Sequence, residues 1–269
     1  MKKINLFLFL MIFCIGLSAK DKIYKFSELS GKPTKFAMLV VLIGDKYREK
    51  MEFCTQTKID YCKKQGYDLI LCYDFHDTCF GVPTECERHP AWHKITNVSR
   101  YLNQYDWILH MDADTIIMNY DIRVEQFMDE NYDFIGVSRF YDRSKNMTVT
   151  DYPRIVSGVW FMKNSQASKD FLIHVWKSGD NTRHCQKCAW EQGYMRNALG
   201  AIRRKALKIP LKFCTYPANA FNSHPKFYQE GDFLVHMCGY HGTNEKRCIE
   251  HFQEIHDKIH GVEKSILQK

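Results

Sequence analysis

Apolar positions along this chain come in two rhythms. Phe36–Ile43 is an unbroken apolar run ended by Gly44-Asp45, the pattern of a strand buried on both faces of a parallel sheet. Tyr47–Lys64 follows as a helix closed at Gly66, and Tyr67–Tyr73 as a second strand, so the chain opens β-α-β. Residues 74–90 hold Pro, Gly, His and two cysteines and read as a loop. Trp92, Ile95, Val98, Leu102 and Tyr105 then fall 3, 3, 4 and 3 apart, one apolar helical stripe leading into the strand Trp107–Met111. Further strands are expected at Tyr132–Val137, Ile155–Met162, Leu211–Tyr216 and Phe233–Met237, with helices near Ser165–Trp176 and Ala189–Leu199. A last helix, Glu245–Val262, puts Ile249, Phe252, Ile255, Ile259 and Val262 on one face.

No internal repeat, low-complexity tract or Pro/Gly-rich linker divides residues 36–262. Alternating strands and helices therefore predict one α/β domain with a mostly parallel central sheet flanked by helices. Ligands of such sheets sit beyond the carboxyl ends of the strands, and Asp112-Ala113-Asp114 lies just past one such end.

The N-terminus follows another rule. Lys2 and Lys3 precede an apolar run from Ile4 to Leu17, and Ser18-Ala19 gives way to Lys20-Asp21-Lys22. This predicts a secretory signal peptide over residues 1–19. The alternative is a short uncleaved signal anchor, for which the run is brief against the roughly 20 residues that cross a bilayer. Either way the domain is expected in the secretory pathway, in the Golgi lumen or secreted, with membrane contact only if the anchor is kept. Residues 20–35 are read as a linker and 263–269 as a tail.

A mean hydropathy of −0.41 excludes a multi-pass membrane protein. The excess of 38 Lys and Arg over 31 Asp and Glu is mild and lacks the basic stripe that nucleic acid requires. It suits a site for a phosphorylated small molecule. Of 11 cysteines, Cys14 falls in the signal segment, and the even remainder predicts disulfides in an oxidising lumen. Cys248, on the apolar face of the last helix, is expected to staple that helix to the core. His184-Cys185-Gln186-Lys187-Cys188 reads as cystines, because no second Cys-x-x-Cys completes a zinc site. His251, His256 and His260 are expected on a solvated face. Asn97-Val98-Ser99 and Asn146-Met147-Thr148 are glycosylation acceptors, and Asn97 falls about 130° from the centre of the Trp92 stripe, toward water.

Two aspartates one residue apart, just past a strand, offer hard oxygen ligands to Mg2+ or Mn2+. Asp112-Ala113-Asp114-Thr115 also fits the haloacid-dehalogenase phosphatases, although their motif ends the first strand and here two strands come before it. The later acidic motif of those enzymes is matched only by Gly231-Asp232-Phe233-Leu234-Val235-His236, with His in the last place. At the end of a short apolar strand, His236 suits a third, nitrogen ligand for Mn2+ beside two carboxylates.

Several blocks together resemble a family: His89-Pro90-Ala91-Trp92-His93-Lys94-Ile95, Tyr105-Asp106-Trp107-Ile108 running into Asp112-Ala113-Asp114, Ser157-Gly158-Val159-Trp160-Phe161 with Asn164 and Trp176, Glu191-Gln192, and Gly231–His236 with Gly239. In this order, over about 200 residues, they resemble the GT-A glycosyltransferases of family 34, which transfer galactose, mannose or xylose. Trp190-Glu191-Gln192-Gly193 replaces the usual acidic residues, and the chain is compact. The resemblance implies a GT-A fold and Asp112, Asp114 and His236 as ligands of Mn2+ (or Mg2+) gripping the diphosphate of a nucleotide sugar, with UDP-galactose the first choice. It implies Lys94, Asp112, Ser157, Gly158 and Gly239 around the nucleotide sugar, and Gln192 and Glu191 as catalytic residues. It further implies transfer with retention of configuration to a glycan hydroxyl, either through a covalent intermediate on a carboxylate or by same-face attack. Phe140, Tyr141 and Tyr152 are candidate stacking faces for the acceptor. A secreted binding protein on the same fold and a phosphatase are the alternatives.

Overall fold

The computed structural model describes residues 21–29, 36–84, 88–144, 149–180, 190–240 and 242–261. In chain order these form β1 (Lys22–Tyr24), α1 (Phe26–Leu29), β2 (Phe36–Val41), α2 (Asp45–Lys50), α3 (Glu52–Gln65), β3 (Asp68–Cys72), the hairpin β4 (Thr78–Cys79) and β5 (Val82–Pro83), α4 (His93–Leu102), β6 (Trp107–Met111) and β7 (Thr115–Ile117). Then come β8 (Phe134–Ser138), β9 (Ile155–Lys163), α5 (Gln166–Ser178), α6 (Trp190–Arg203), β10 (Phe213–Tyr216), α7 (Ala218–Phe221), β11 (Leu234–His236) and α8 (Thr243–Ile259).

The apolar runs form the sheet, in the order β1-β3-β2-β6-β9-β8-β10. β2 runs parallel to β3 and β6, β9 is antiparallel to β6 and β8, and β10 is parallel to β8. Five strands therefore point one way, as expected, and only β1 and β9 are reversed. Alternate side chains of β2 feed opposite layers. Phe36, Met38 and Val40 pack with Cys54, Tyr61, Ile116 and Phe252 under α3 and α8. Ala37 and Leu39 pack with Trp92, Trp160, Phe171 and Leu199 under α4, α5 and α6. A separate antiparallel ribbon joins β7 to β11, with His236 opposite Thr115.

The predicted helix 47–64 is kinked at Met51, a fully buried residue that ends α2 and begins α3, while Gly66 closes α3 in the left-handed conformation as expected. Several expectations are corrected. Part of the stretch read as a linker belongs to the sheet: β1 pairs with β3, and Asp21 accepts a hydrogen bond from the Tyr73 N–H at 3.0 Å. The expected disulfides do not appear among the described residues. Cys54, Cys62, Cys72, Cys79, Cys214, Cys238 and Cys248 are free thiols, most of them buried as small hydrophobes, so Cys248 is no staple. Cys86, Cys185 and Cys188 lie outside the described residues, as do Asn146 and the signal segment.

Asn97 does not face water either. The β4–β5 side and α5 cover the outer flank of α4, so Asn97 is fully buried and its side-chain amide donates to the His93 carbonyl at 2.9 Å. His256 is likewise buried, packed edge-on to Phe53 and 3.1 Å from the Tyr120 hydroxyl. Among the described residues no helix is long and apolar enough to cross a membrane.

Candidate active site

Every residue selected from the sequence for metal, nucleotide sugar or catalysis lines one cleft of about 980 Å³ at the carboxyl ends of β2 and β6. β9 runs the other way, so its first residues, Val156–Gly158, reach the same edge.

Asp112 is the hub. Its Oδ1 accepts from Lys94 Nζ at 2.8 Å and lies 3.0 Å from His110 Nε2. Its Oδ2 lies 3.7 Å from His236 Nε2, which is 3.2 Å from Asp114 Oδ1. One ligand atom from each of Asp112, Asp114 and His236 falls within 4.8 Å of the others. That spread suits a common centre with bonds of about 2–2.5 Å. His236 Nδ1 is 2.8 Å from Asn222 Oδ1. Asn222 can only accept there, so the proton sits on Nδ1 and Nε2 is the nitrogen available to a cation.

Burial alone would raise the Asp112 carboxyl, but the Lys94 ammonium, the His110 hydrogen bond and the nearby His236 hold it well below the usual carboxylate range. Burial pushes His110 down to about 4, against the pull of Asp112, so it is neutral and donates from Nε2. For Lys94 burial works downward, and Asp112 and Glu191 more than reverse it. The lysine is therefore a buried cation, 3.0 Å from Glu191 Oε1, instead of a solvated helix residue.

Ser157 ties this pair to α6. Its hydroxyl donates to Glu191 Oε1 at 2.8 Å, and its N–H donates to Gln192 Oε1 at 2.9 Å. The Gln192 carbonyl is thus pinned, and its NH2 is the end left to donate. Glu191 is 2% exposed, and its Oε2 is buried without a hydrogen-bond partner. Gly158 has a definite reason: a Cβ there would lie 2.1 Å from His236 Cε1, so only glycine admits the imidazole. The register between β8 and β9 also shifts at this stretch, between Ile135 and Val137. Gly239 lines the cleft with a φ of +83°, which favours glycine.

Of the aromatic candidates only Tyr141 lines the cleft, facing Phe227 at 4.9 Å between ring centres; Phe140 and Tyr152 are exposed elsewhere. Two participants escaped the sequence reading. His110 shares a strand face with Asp112 by the two-residue rule, a signal that was there. Asn222 lies 14 residues from His236 in sequence, and nothing in its surroundings marks it.

No curated protein sequence matches the chain. In fold it is similar to a glycosyltransferase involved in the glycosylation of the major capsid of PBCV-1, at 18% identity over 81% of this chain and 100% of that one, with a TM-score of 0.56. It is also similar to the apo form of WbbM, a bifunctional glycosyltransferase, at 9% identity over 85% of this chain and 52% of that one, with a TM-score of 0.51. The fold is thus that of the GT-A glycosyltransferases, and the chain is a sugar transferase. It belongs to the galactosyl transferase GMA12/MNN10 family, whose model matches residues 35–248. The phosphatase alternative falls: its motif ends a first strand, whereas Asp112 follows β6, the third parallel strand of this sheet.

Proposed function

We propose that this enzyme transfers a sugar, galactose first among the choices, from a UDP carrier to a glycan hydroxyl in the secretory pathway, with retention of configuration. Asp112, Asp114 and His236 hold Mn2+ or Mg2+. The observation that carries this reading is the convergence of two carboxylates and one oriented imidazole on a single point in the cleft. A cation there neutralises the charge that grows on the departing diphosphate and so lowers the barrier.

The chain's own residues do the rest. Val41 at the end of β2, Ile43 just past it and Tyr47 in α2 form the side of the cleft where doubly wound sheets receive nucleotides. Across the triad, Tyr141 and Phe227 offer aromatic faces to the acceptor. Lys94 keeps Asp112 ionised, leaving Oδ2 to the cation. Glu191 is engaged by Lys94 and Ser157 and shut from solvent, which makes it a poor nucleophile. Same-face attack is therefore favoured, with the leaving phosphate taking the proton of the acceptor hydroxyl and the Gln192 amide donating toward the reacting sugar.

The test is UDP release from UDP-galactose with and without Mn2+, alongside Mn2+-dependent UDP binding in Asp112→Asn and Asp114→Asn. Slow Mn2+-dependent release in the wild type and lost binding in both variants are expected. Unchanged UDP binding in the variants overturns the metal assignment. Release from UDP-xylose alone changes the donor. A secreted chain beginning near Lys20 is the expected readout of the signal segment.

A further inference from the structure

Lys58 lies in the middle of α3 and is fully buried. An ammonium in such a place is costly unless its three protons are all used. Here they are, and all by backbone carbonyls: Cys54 at 3.0 Å, Ala113 at 3.1 Å and Thr115 at 2.6 Å. The neighbouring Thr57 hydroxyl oxygen accepts from the Ile117 N–H at 3.2 Å.

These contacts have a common geometry. In an extended strand the carbonyls of residues i and i+2 and the N–H of residue i+4 point to the same edge. Thr115 and Ile117 therefore present one edge of β7, the Ala113 carbonyl of the preceding turn joins them on Lys58, and β11 occupies the opposite edge. Left alone, that edge would be a row of buried, unpaired backbone groups. Lys58 and Thr57 fill it where a third strand would otherwise stand.

The ribbon so completed carries Asp114 immediately before β7 and His236 at the end of β11. The Met237 N–H extends it by donating to the Asp114 carbonyl at 3.0 Å. We propose that Lys58 is a positioning residue: by closing the β7 edge from α3, it sets the spacing of Asp114 and His236 for the divalent cation. The inference rests on the cation reading of this site.

Its test has a sign built in. A buried cation behind a cation site repels the incoming ion, so on charge alone Lys58→Met should tighten metal binding. If positioning dominates, the loss of the β7 edge should weaken it. Lys58→Met keeps the apolar stem and deletes the charge. With Mn2+ itself as the probe, titrated against the full chain and followed by the paramagnetic signal of the free ion, the dissociation constant is expected to rise by about 10–100-fold, the range for residues that orient metal ligands. In turnover, the Mn2+ concentration for half-activation rises while kcat at saturating Mn2+ largely recovers, a split that loss of folded protein does not produce.

Thr57→Val removes the Ile117 partner together with the hydroxyl's own bond to the Cys54 carbonyl within α3, and serves if Lys58→Met does not fold; a weakening of about two- to tenfold is expected, the worth of the one hydrogen bond to β7. Unchanged or tighter Mn2+ binding in folded Lys58→Met, or in Thr57→Val where it stands in, overturns the inference while the cation reading stands. A wild type that binds neither Mn2+ nor Mg2+ overturns both.

Discussion

The two oxygens of Asp112 face opposite situations. Oδ1 belongs to a closed network of Lys94, His110, Glu191, Ser157 and Gln192, in which one buried ammonium answers two carboxylates. Oδ2 faces Asp114 and His236 across the open cleft, where the negative charges have no lysine between them. The first side already holds its cation, although Glu191 Oε2 stays without a hydrogen-bond partner. The second is a donor set whose charges call for a cation. The closed side fixes the direction and ionisation of a carboxylate whose other oxygen is left for chemistry.

Lys94→Met breaks the closed side and should have the largest effect. It strands Glu191 as an uncompensated buried charge and takes the cation from the partly exposed Asp112, a loss of about 3–5 kcal/mol. Thermal unfolding should show it even without metal, as a fall in Tm of about 2–4 °C per kcal/mol. Asp114→Asn breaks only the open side. Mn2+-dependent turnover should fall by about 10²–10³-fold, the usual consequence of losing one electrostatic stabiliser. Tm without metal should fall far less than in Lys94→Met, because the pair removed is the one Asp114 makes with His236 and no buried carboxylate loses its lysine. The rise in Tm that Mn2+ gives the wild type, about 2.7 kcal/mol of stabilisation at 100 times Kd, should vanish. Equal metal-free destabilisation by the two variants would erase the distinction between the sides.

Glu191→Gln is the finer probe, because it keeps the shape of the closed side while removing one charge. Under same-face attack kcat should fall by less than about tenfold. A loss of thousands-fold with a trapped glycosyl-enzyme would make Glu191 the nucleophile and move it across to the open side.

What could be read from the sequence divides along similar lines. β2, β3 and β6 were legible because strands buried on both faces must be continuous apolar runs, and α3 ended where Gly66 could turn left-handed. That Asp112, Asp114 and His236 meet in one cleft was legible because the cleft lies at strand ends. The sequence misled where burial came from a second neighbour that no period encodes. Asn97 lies off the apolar stripe of α4 yet is buried, by the β4–β5 side and α5. Lys58 reads as an ordinary helix lysine until β7 is laid beside it. The cysteines misled for a different reason: compartment and an even count say nothing about which thiols meet, and the seven described are unpaired.

A third network gives the comparison its control. Far from the cleft, the buried Asp68 accepts from Lys25 Nζ at 2.9 Å, the Ser27 hydroxyl at 2.6 Å and the Tyr105 hydroxyl at 3.1 Å. It is closed like the Lys94 side, but nothing open adjoins it. Burial pushes its carboxyl up, and the hydrogen bonds from Ser27 and Lys25 outweigh that and hold it below the ordinary value. Its folded pKa thus lies under the unfolded value of about 3.9. The stabilisation is therefore whole above that pH and is lost as pH falls through the folded pKa. Asp68→Asn should cost about 1 kcal/mol near neutral pH in denaturant unfolding. The gap from wild type should close in strong acid, and Mn2+ affinity and turnover should match wild type throughout. A drop in turnover would mean that a closed network acts on the chemistry at a distance, and the place of Lys94 on the carboxylate that carries the open oxygen would no longer explain why its own network matters.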